Sequence, residues 1–383
     1  MEKSKKKKFQ WQNLIGIAFF SIIGMICGIL TIEYMDSLET TELNFGEKML
    51  HLLFLLIIMY ISFFIQMIIH EAGHFIFGSL TGYKLSSFRI GSFMWIKDNG
   101  KIKLKKYSLA GTGGQCLMSP PDMVNDKIPI VLYNLGGCIM NIITGVIALA
   151  IFFLFRDNSL LSVFMLMITI VGFAFAIMNG VPIRLGLIDN DGYNALSLGK
   201  NPQALRSFWI QMKINDLILK GDRLKDIPEE WFALPTDEEM KNSMISVIGV
   251  FACNRLMDEH RFDETENLIK HYLEVDTSMV GIHRSLLICD YIFCQLIRNG
   301  NRQDIEKMLD KQQKSFMQSM KKYPTVVRTE YAIALLMEND ITKSEKIKEK
   351  FEKLAKSYPY ISDIESEREL INIAQKQYNE YSK

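Results

Sequence analysis

The sequence predicts an all-α membrane protein: a polytopic helical membrane domain with a small membrane-associated β-hairpin, followed by a cytoplasmic α-helical domain of tetratricopeptide-like form. Three observations carry that prediction. The chain of 383 residues is 49% hydrophobic, and its apolar residues are concentrated before about residue 199. Four stretches in that half approach the 20 or so apolar residues needed to cross a hydrocarbon core of about 30 Å. Beyond residue 200, amphipathic helical patterns alternate with short polar turns and no comparable apolar run occurs. The expected domains are therefore 1–199, embedded in the membrane, and 200–383, outside it.

The expected spans are 14–32, 49–69, 128–155 and 160–178. Lys3 and Lys5–Lys8 precede the first, which could pass for a secretory signal. Its apolar run is too long for one, and no small-residue cleavage pattern follows, so it reads as a retained span. Basic residues mark the cytoplasmic side of a membrane protein. The N-terminal lysines and the cluster Lys84, Arg89, Lys97, Lys101, Lys103, Lys105 and Lys106 between the second and third spans place both segments inside. Glu33, Asp36, Glu39, Glu42 and Glu47 follow the first span, and that loop is expected outside, as is Arg156–Ser159. Four spans then leave both termini cytoplasmic in a multi-pass protein of the cell membrane.

Charge and cysteine content exclude other classes. With 44 basic and 43 acidic residues the formal net charge is +1, which provides no broad positive field for nucleic acid. The cysteines at 27, 116, 138, 253, 289 and 294 include no Cys-x-x-Cys pair, so a disulfide scaffold is not expected. Segment 75–121 mixes Gly, Ser and charges with alternating runs such as Lys101-Ile102-Lys103-Leu104-Lys105. Alternation of this kind predicts short strands. Irregular backbone at membrane depth requires protein or a wet cavity to satisfy it, a condition that a hairpin lining a site would meet.

The chemistry sits at the end of the second span, in His70-Glu71-Ala72-Gly73-His74. Histidines four apart share one helix face and can reach one zinc ion, and Glu71 is placed to take a proton from the attacking water. Three ionisable groups on an apolar span are costly and mark a functional site by default. A hydrolytic zinc site has three protein ligands and an open position. His51 lies roughly 28 Å away by helical rise and cannot be the third. Asp189 and Asp191, just after the fourth span, are the remaining candidates.

Together these residues resemble the site-2 protease family, the intramembrane zinc metalloproteases of the M50 group, over residues 49 to 199. Gly137-Cys138-Ile139-Met140-Asn141 is similar to the family's G-P-x-x-N element with Cys138 in place of Pro. Asn179-Gly180-Val181-Pro182 fits N-x-x-P, and Asp191-Gly192 fits D-G. Asp191 lies nine residues after Pro182 where the family pattern has five, so Asp189 stands as a rival ligand; the following Gly favours Asp191. The resemblance implies His70, His74 and Asp191 as metal ligands, Glu71 as general base, and Asn141 and Asn179 as contacts to substrate or site wall. Gly136–Gly137 reads as a close-packing surface.

In the second half, turns at 258–261, 298–301 and 338–341 recur roughly every 40 residues, which suggests stacked helix pairs. No Gly-rich phosphate loop or Cys/His spacing occurs there, so a peptide or protein partner is expected rather than a second active site. The implied function is a zinc endopeptidase acting on a membrane-inserted or membrane-associated peptide or protein, of the kind that processes signal peptides or bacteriocin-type peptides. The alternative is a non-hydrolytic metal-binding transporter or receptor-like partner. Glu71 separates the two, because a structural metal site has no need of a base.

Overall fold

The structure, a computed structural model, describes residues 44–98, 101–107, 113–155, 159–185 and 188–381, together with the helical positions Ser21, Met25, Gly28 and Ile29. The first expected span, 14–32, otherwise lies outside the described residues. Among those residues the chain is mostly helical, with three helices long and apolar enough to cross a membrane and a small antiparallel sheet. It divides into two compact units, 1–84 with 113–116 and 127–200, and 85–112 with 117–126 and 201–383. The strands thus group mainly with the second unit, whereas composition had placed all of 1–199 in one domain.

The first unit is built on α1 (Phe45–Leu80), α2 (Val131–Leu154) and α3 (Ser159–Gly180). Helix α1 begins earlier and ends later than the apolar run 49–69. Its start is a capping box: the Glu47 amide donates to Asn44 Oδ1 at 3.0 Å, and the Asn44 amide to Glu47 Oε2 at 2.8 Å. It stops at Thr81, whose hydroxyl donates to the carbonyls of Phe77 and Gly78, and Gly82 at φ +88° turns the chain away. With 36 residues the helix is about 54 Å long, well beyond a hydrocarbon core. Its polar last third therefore need not lie in lipid.

Small and polar residues hold these three helices together. A Cβ on Gly73 would lie 2.3 Å from the carbonyl oxygen of Gly136, so α1 and α2 touch backbone to backbone. Gln66 of α1 donates to the carbonyl of Ile168 on α3 at 3.0 Å and accepts from the Asn141 amide of α2 at 2.7 Å. Lipid chains are as apolar as leucine, so close backbone approach and hydrogen bonds drive such packing. After α3, the short strands β5 (Arg184–Leu185) and β6 (Ile188–Asp189) lead into α4 (Asp191–Ser197), capped by Asn190.

The expected hairpin is a four-stranded sheet: β1 (Lys84–Ile90), β2 (Phe93–Asp98), β3 (Lys101–Lys106) and β4 (Gly114–Ser119), in the order β3-β2-β1-β4. β1, β2 and β3 pair antiparallel in sequence order, with Phe88 opposite Trp95 and Trp95 opposite Leu104. The alternating signal found β3; β4 shows none.

The helices of the second unit begin with α5 (Pro202–Lys220) and continue through α6 (Ser243–Asp258), α7 (Phe262–Glu274), α8 (Gly281–Ile297), α9 (Arg302–Met308), α10 (Lys311–Ser319), α11 (Pro324–Ala332), α12 (Ile341–Ala355) and α13 (Ile361–Tyr381). His260, Asn299 and Asn339 adopt positive φ of 58°, 53° and 54°, one at each of the three recurring turns. Asparagine tolerates this conformation best, and two of the three positions use it. Fully buried Ile292, Phe293, Val327, Tyr331 and Phe351 form the core. Within it Arg328, 0% exposed, pairs with Asp290 and Glu367, which satisfies its charge where water cannot.

Candidate metal centre

The first unit brings His70, His74 and Asp191 to one point. The two histidines stand one turn apart on α1, with their Nε2 atoms 3.2 Å from each other. Asp191 opens α4, and its Oδ2 lies 3.1 Å from His70 Nε2 and 3.4 Å from His74 Nε2. The Asn190 side chain accepts from the Tyr193 amide and donates to the carbonyls of Met178 and Val181, which ties the start of α4 to the end of α3.

The outer ring nitrogens fix how the imidazoles point. His70 Nδ1 is 2.7 Å from Asn141 Oδ1, and His74 Nδ1 is 2.8 Å from the Tyr133 carbonyl oxygen. The Asn141 amide nitrogen donates to Gln66 O and Oε1, so its oxygen is the atom turned to His70. Both Nδ1 atoms thus face acceptors; with a proton on each Nδ1 the Nε2 lone pairs can converge on a metal ion, and without the ion, protons on Nε2 face Asp191. Burial pushes the Asp191 carboxyl up, but hydrogen bonds from His70 and His74 and the charge of those rings outweigh it and hold the carboxyl well below the usual range. A triangle of two imidazole nitrogens and a carboxylate oxygen requires positive charge, from ring protons or from a metal ion.

The spacing fits zinc. Four ligands at about 2.0–2.1 Å in a tetrahedron stand about 3.3–3.4 Å apart, close to the three separations here. Among the described residues this is the group of histidine, cysteine and acidic side chains whose ligand atoms all lie within 4.8 Å of one another. Asp189, at the end of β6, is not part of it.

Glu71 follows His70 on the same helix and lies against β4: a Cβ on Gly114 would be 2.6 Å from Glu71 Oε1. A side chain at 114 would displace the carboxylate from this position. The Cys116 thiol, two residues along that strand, is pushed up by burial and by the charge of Glu71, and it stays protonated. Gly137 has the same relation to His70, since its Cβ would sit 2.5 Å from the imidazole Cε1. The Asn179 amide donates to the Phe175 carbonyl of its own helix at 3.0 Å, and its backbone carbonyl oxygen would lie 3.2 Å from a Cβ on Gly192, the residue after Asp191.

Gln66, the Tyr133 carbonyl and Gly114 were not singled out from the sequence. None carries a local pattern, because each acts through a neighbour on another element.

A helix bearing HExxH, a carboxylate completing a zinc-sized triangle and three membrane-length helices together define a membrane metalloprotease. The profile described as Peptidase family M50 matches residues 58–347, about three quarters of the chain, and the chain belongs to that family. The family consists of zinc metalloproteases of the membrane, so membrane metalloprotease activity is the assignment that membership carries. No curated protein and no solved structure matched the chain.

Proposed function

We propose that this chain is a zinc endopeptidase that hydrolyses a peptide bond in a membrane-inserted or membrane-associated peptide near the cytoplasmic face, in processing of the signal-peptide or bacteriocin-peptide kind. The observation that carries the proposal is the Nε2–Nε2–Oδ2 triangle with Glu71 on the adjacent position of the same helix. His70, His74 and Asp191 would hold the ion. Zinc bound there supplies Lewis acidity toward the scissile carbonyl and makes water easier to deprotonate. Glu71 takes the proton from the attacking water and returns it to the departing amine. Asn141 and the Tyr133 carbonyl hold the two imidazoles in the tautomer and orientation that binding requires. Gly114, with no side chain beside Glu71, leaves access to that carboxylate.

The basic cluster on β1 to β3 and the acidic residues after the first expected span support a topology with both termini in the cytoplasm. The helix pairs joined at His260, Asn299 and Asn339 support a tetratricopeptide-like array as the partner-binding part. Co-expression with precursor peptides encoded beside this chain, comparing wild type with Glu71→Gln, tests the enzymatic reading. Wild type should shorten one precursor and Glu71→Gln should leave it whole while retaining one zinc per chain. Equal cleavage by both would remove Glu71 as the base. Zinc binding without cleavage of any precursor would favour a non-hydrolytic metal protein.

A further inference from the structure

The second unit contains a cavity of about 120 Å³ whose charges do not balance. On this measure a water needs roughly 10–15 Å³, so the space holds several waters or the end of a long side chain. Arg223 and Arg328 line it, but both are already committed. Arg223 pairs with Asp258 and Glu369, and Arg328 with Asp290 and Glu367. Two lining carboxylates are left over, the exposed Asp222 and the half-buried Asp363. Asp363 stands on α13 one turn before Glu367 and lines the cavity at a half-buried position. No described residue donates a hydrogen bond or an ion pair to it. Burial, with the nearby charges of Glu367 and Asp258, pushes it up to about 7. A carboxylate held partly out of water without a partner is costly, and an arriving counter-charge offsets that cost.

The walls beside Asp363 are aromatic. Tyr323 and Tyr358 line the cavity with ring centroids 6.5 Å apart and planes at 88°, and Tyr107 and Tyr360 pack against Tyr358 at 5.7 Å each. Ring faces attract ammonium and guanidinium groups. A calcium or magnesium ion would need about six oxygen ligands, and Asp258, Asp290 and Glu367 are held by arginine. On their other side the same two tyrosines border a hollow of about 520 Å³ that carries Lys106, Lys321 and Lys322. Negative and positive recesses sharing a wall suit a peptide with a basic residue close to an acidic one.

We propose that the cavity is a socket for an organic cation, an ammonium or guanidinium group borne by a basic peptide side chain or by a free polyamine, with Asp363 as counter-charge and Tyr323 and Tyr358 as walls. Calorimetry on the full chain in neutral detergent at pH 8 tests it. The probes are acetyl-Gly-Lys-Gly-Asp-amide, the same peptide with norleucine for lysine, and spermidine. The lysine peptide should bind once per chain, the norleucine peptide should not, and Asp363→Asn should weaken binding at least tenfold. Tyr323→Leu, at a half-buried position, should weaken it several-fold and serves should Asp363→Asn not fold. Spermidine binding more tightly than the peptide would assign the same socket to a free polyamine. Absence of binding by the lysine peptide and spermidine alike, or unchanged binding in both variants, overturns the proposal.

Discussion

Replacing Asn141 with alanine should weaken zinc binding without removing a ligand. Asn141 makes three contacts, to His70 Nδ1 at 2.7 Å, to Gln66 O at 2.9 Å and to Gln66 Oε1 at 2.7 Å. The alanine variant strips His70 of the acceptor that sets its tautomer and ring angle. Loss of such an outer partner typically costs 10–100-fold in metal affinity, which corresponds to about 1.4–2.8 kcal/mol. The helices should survive the change. Gln66 keeps its bond to Ile168 O at 3.0 Å and receives the Thr144 hydroxyl at 3.3 Å, so one backbone acceptor loses its side-chain donor, at roughly 0.6–2 kcal/mol for a polar contact between spans. The assay is titration of zinc-loaded full-length protein in neutral detergent with a chelator of known affinity, reading zinc retained per chain. Asn179→Ala is the comparison, since its amide bonds within its own helix. A tenfold or greater fall for Asn141→Ala, with Asn179→Ala unchanged, is expected. Wild-type affinity in Asn141→Ala, or an equal loss in both variants, refutes the reasoning.

Three further outcomes follow from the geometry. Asp191→Ala should abolish stoichiometric zinc and Asp189→Ala should not, as metal analysis of the purified chains will show, because only Asp191 closes the triangle with the two histidines. Gly137→Ala places a Cβ 2.5 Å from the His70 ring and should lose most bound zinc, whereas Gly145→Ala meets Phe173 at an ordinary 3.5 Å and should retain it. Asp363 should make the second unit less stable as pH rises. Its folded pKa of about 7 exceeds the usual unfolded value near 3.9, so the native state holds a proton that the unfolded chain releases between those limits. Stability is lost through that window, by at most about 4 kcal/mol for a shift of about 3 units. Asp363→Asn should match wild type in thermal melting at pH 4 and exceed it at pH 8; parallel curves would refute the assignment.

The part of the site that lies on one helix was legible in the sequence. Histidines four apart need only helical periodicity to share a face, and α1 runs straight through them to Leu80. Hydropathy alone ended the span at 69, because His70, Glu71 and His74 interrupt an apolar run without interrupting the helix. Its true start depended on Asn44 and Glu47, a pairing that hydropathy does not see. Asp191 lies 121 residues beyond His70, and only its resemblance to a family motif singled it out. The glycines were the harder part. Gly114 and Gly137 matter for the side chain of another element that fills the space they leave, and nothing within a few residues of either encodes that neighbour. Strand β4 escaped notice for a related reason: its Gln115-Cys116-Leu117-Met118 is buried or half-buried throughout, so the alternation that reveals a half-exposed strand is missing.

The contact between α1 and α2 at Gly73 and Gly136 has a consequence for how the centre comes apart. Two main chains meeting with no side chain between them leave no soft layer to absorb thermal displacement. Slippage of one helix would carry His70 and His74 away from Asn141 and the Tyr133 carbonyl together, as a single event. Escape of the ion and parting of the helices then share one barrier. Their rates should rise with temperature along the same slope, and a chelator should accelerate neither until that barrier is crossed.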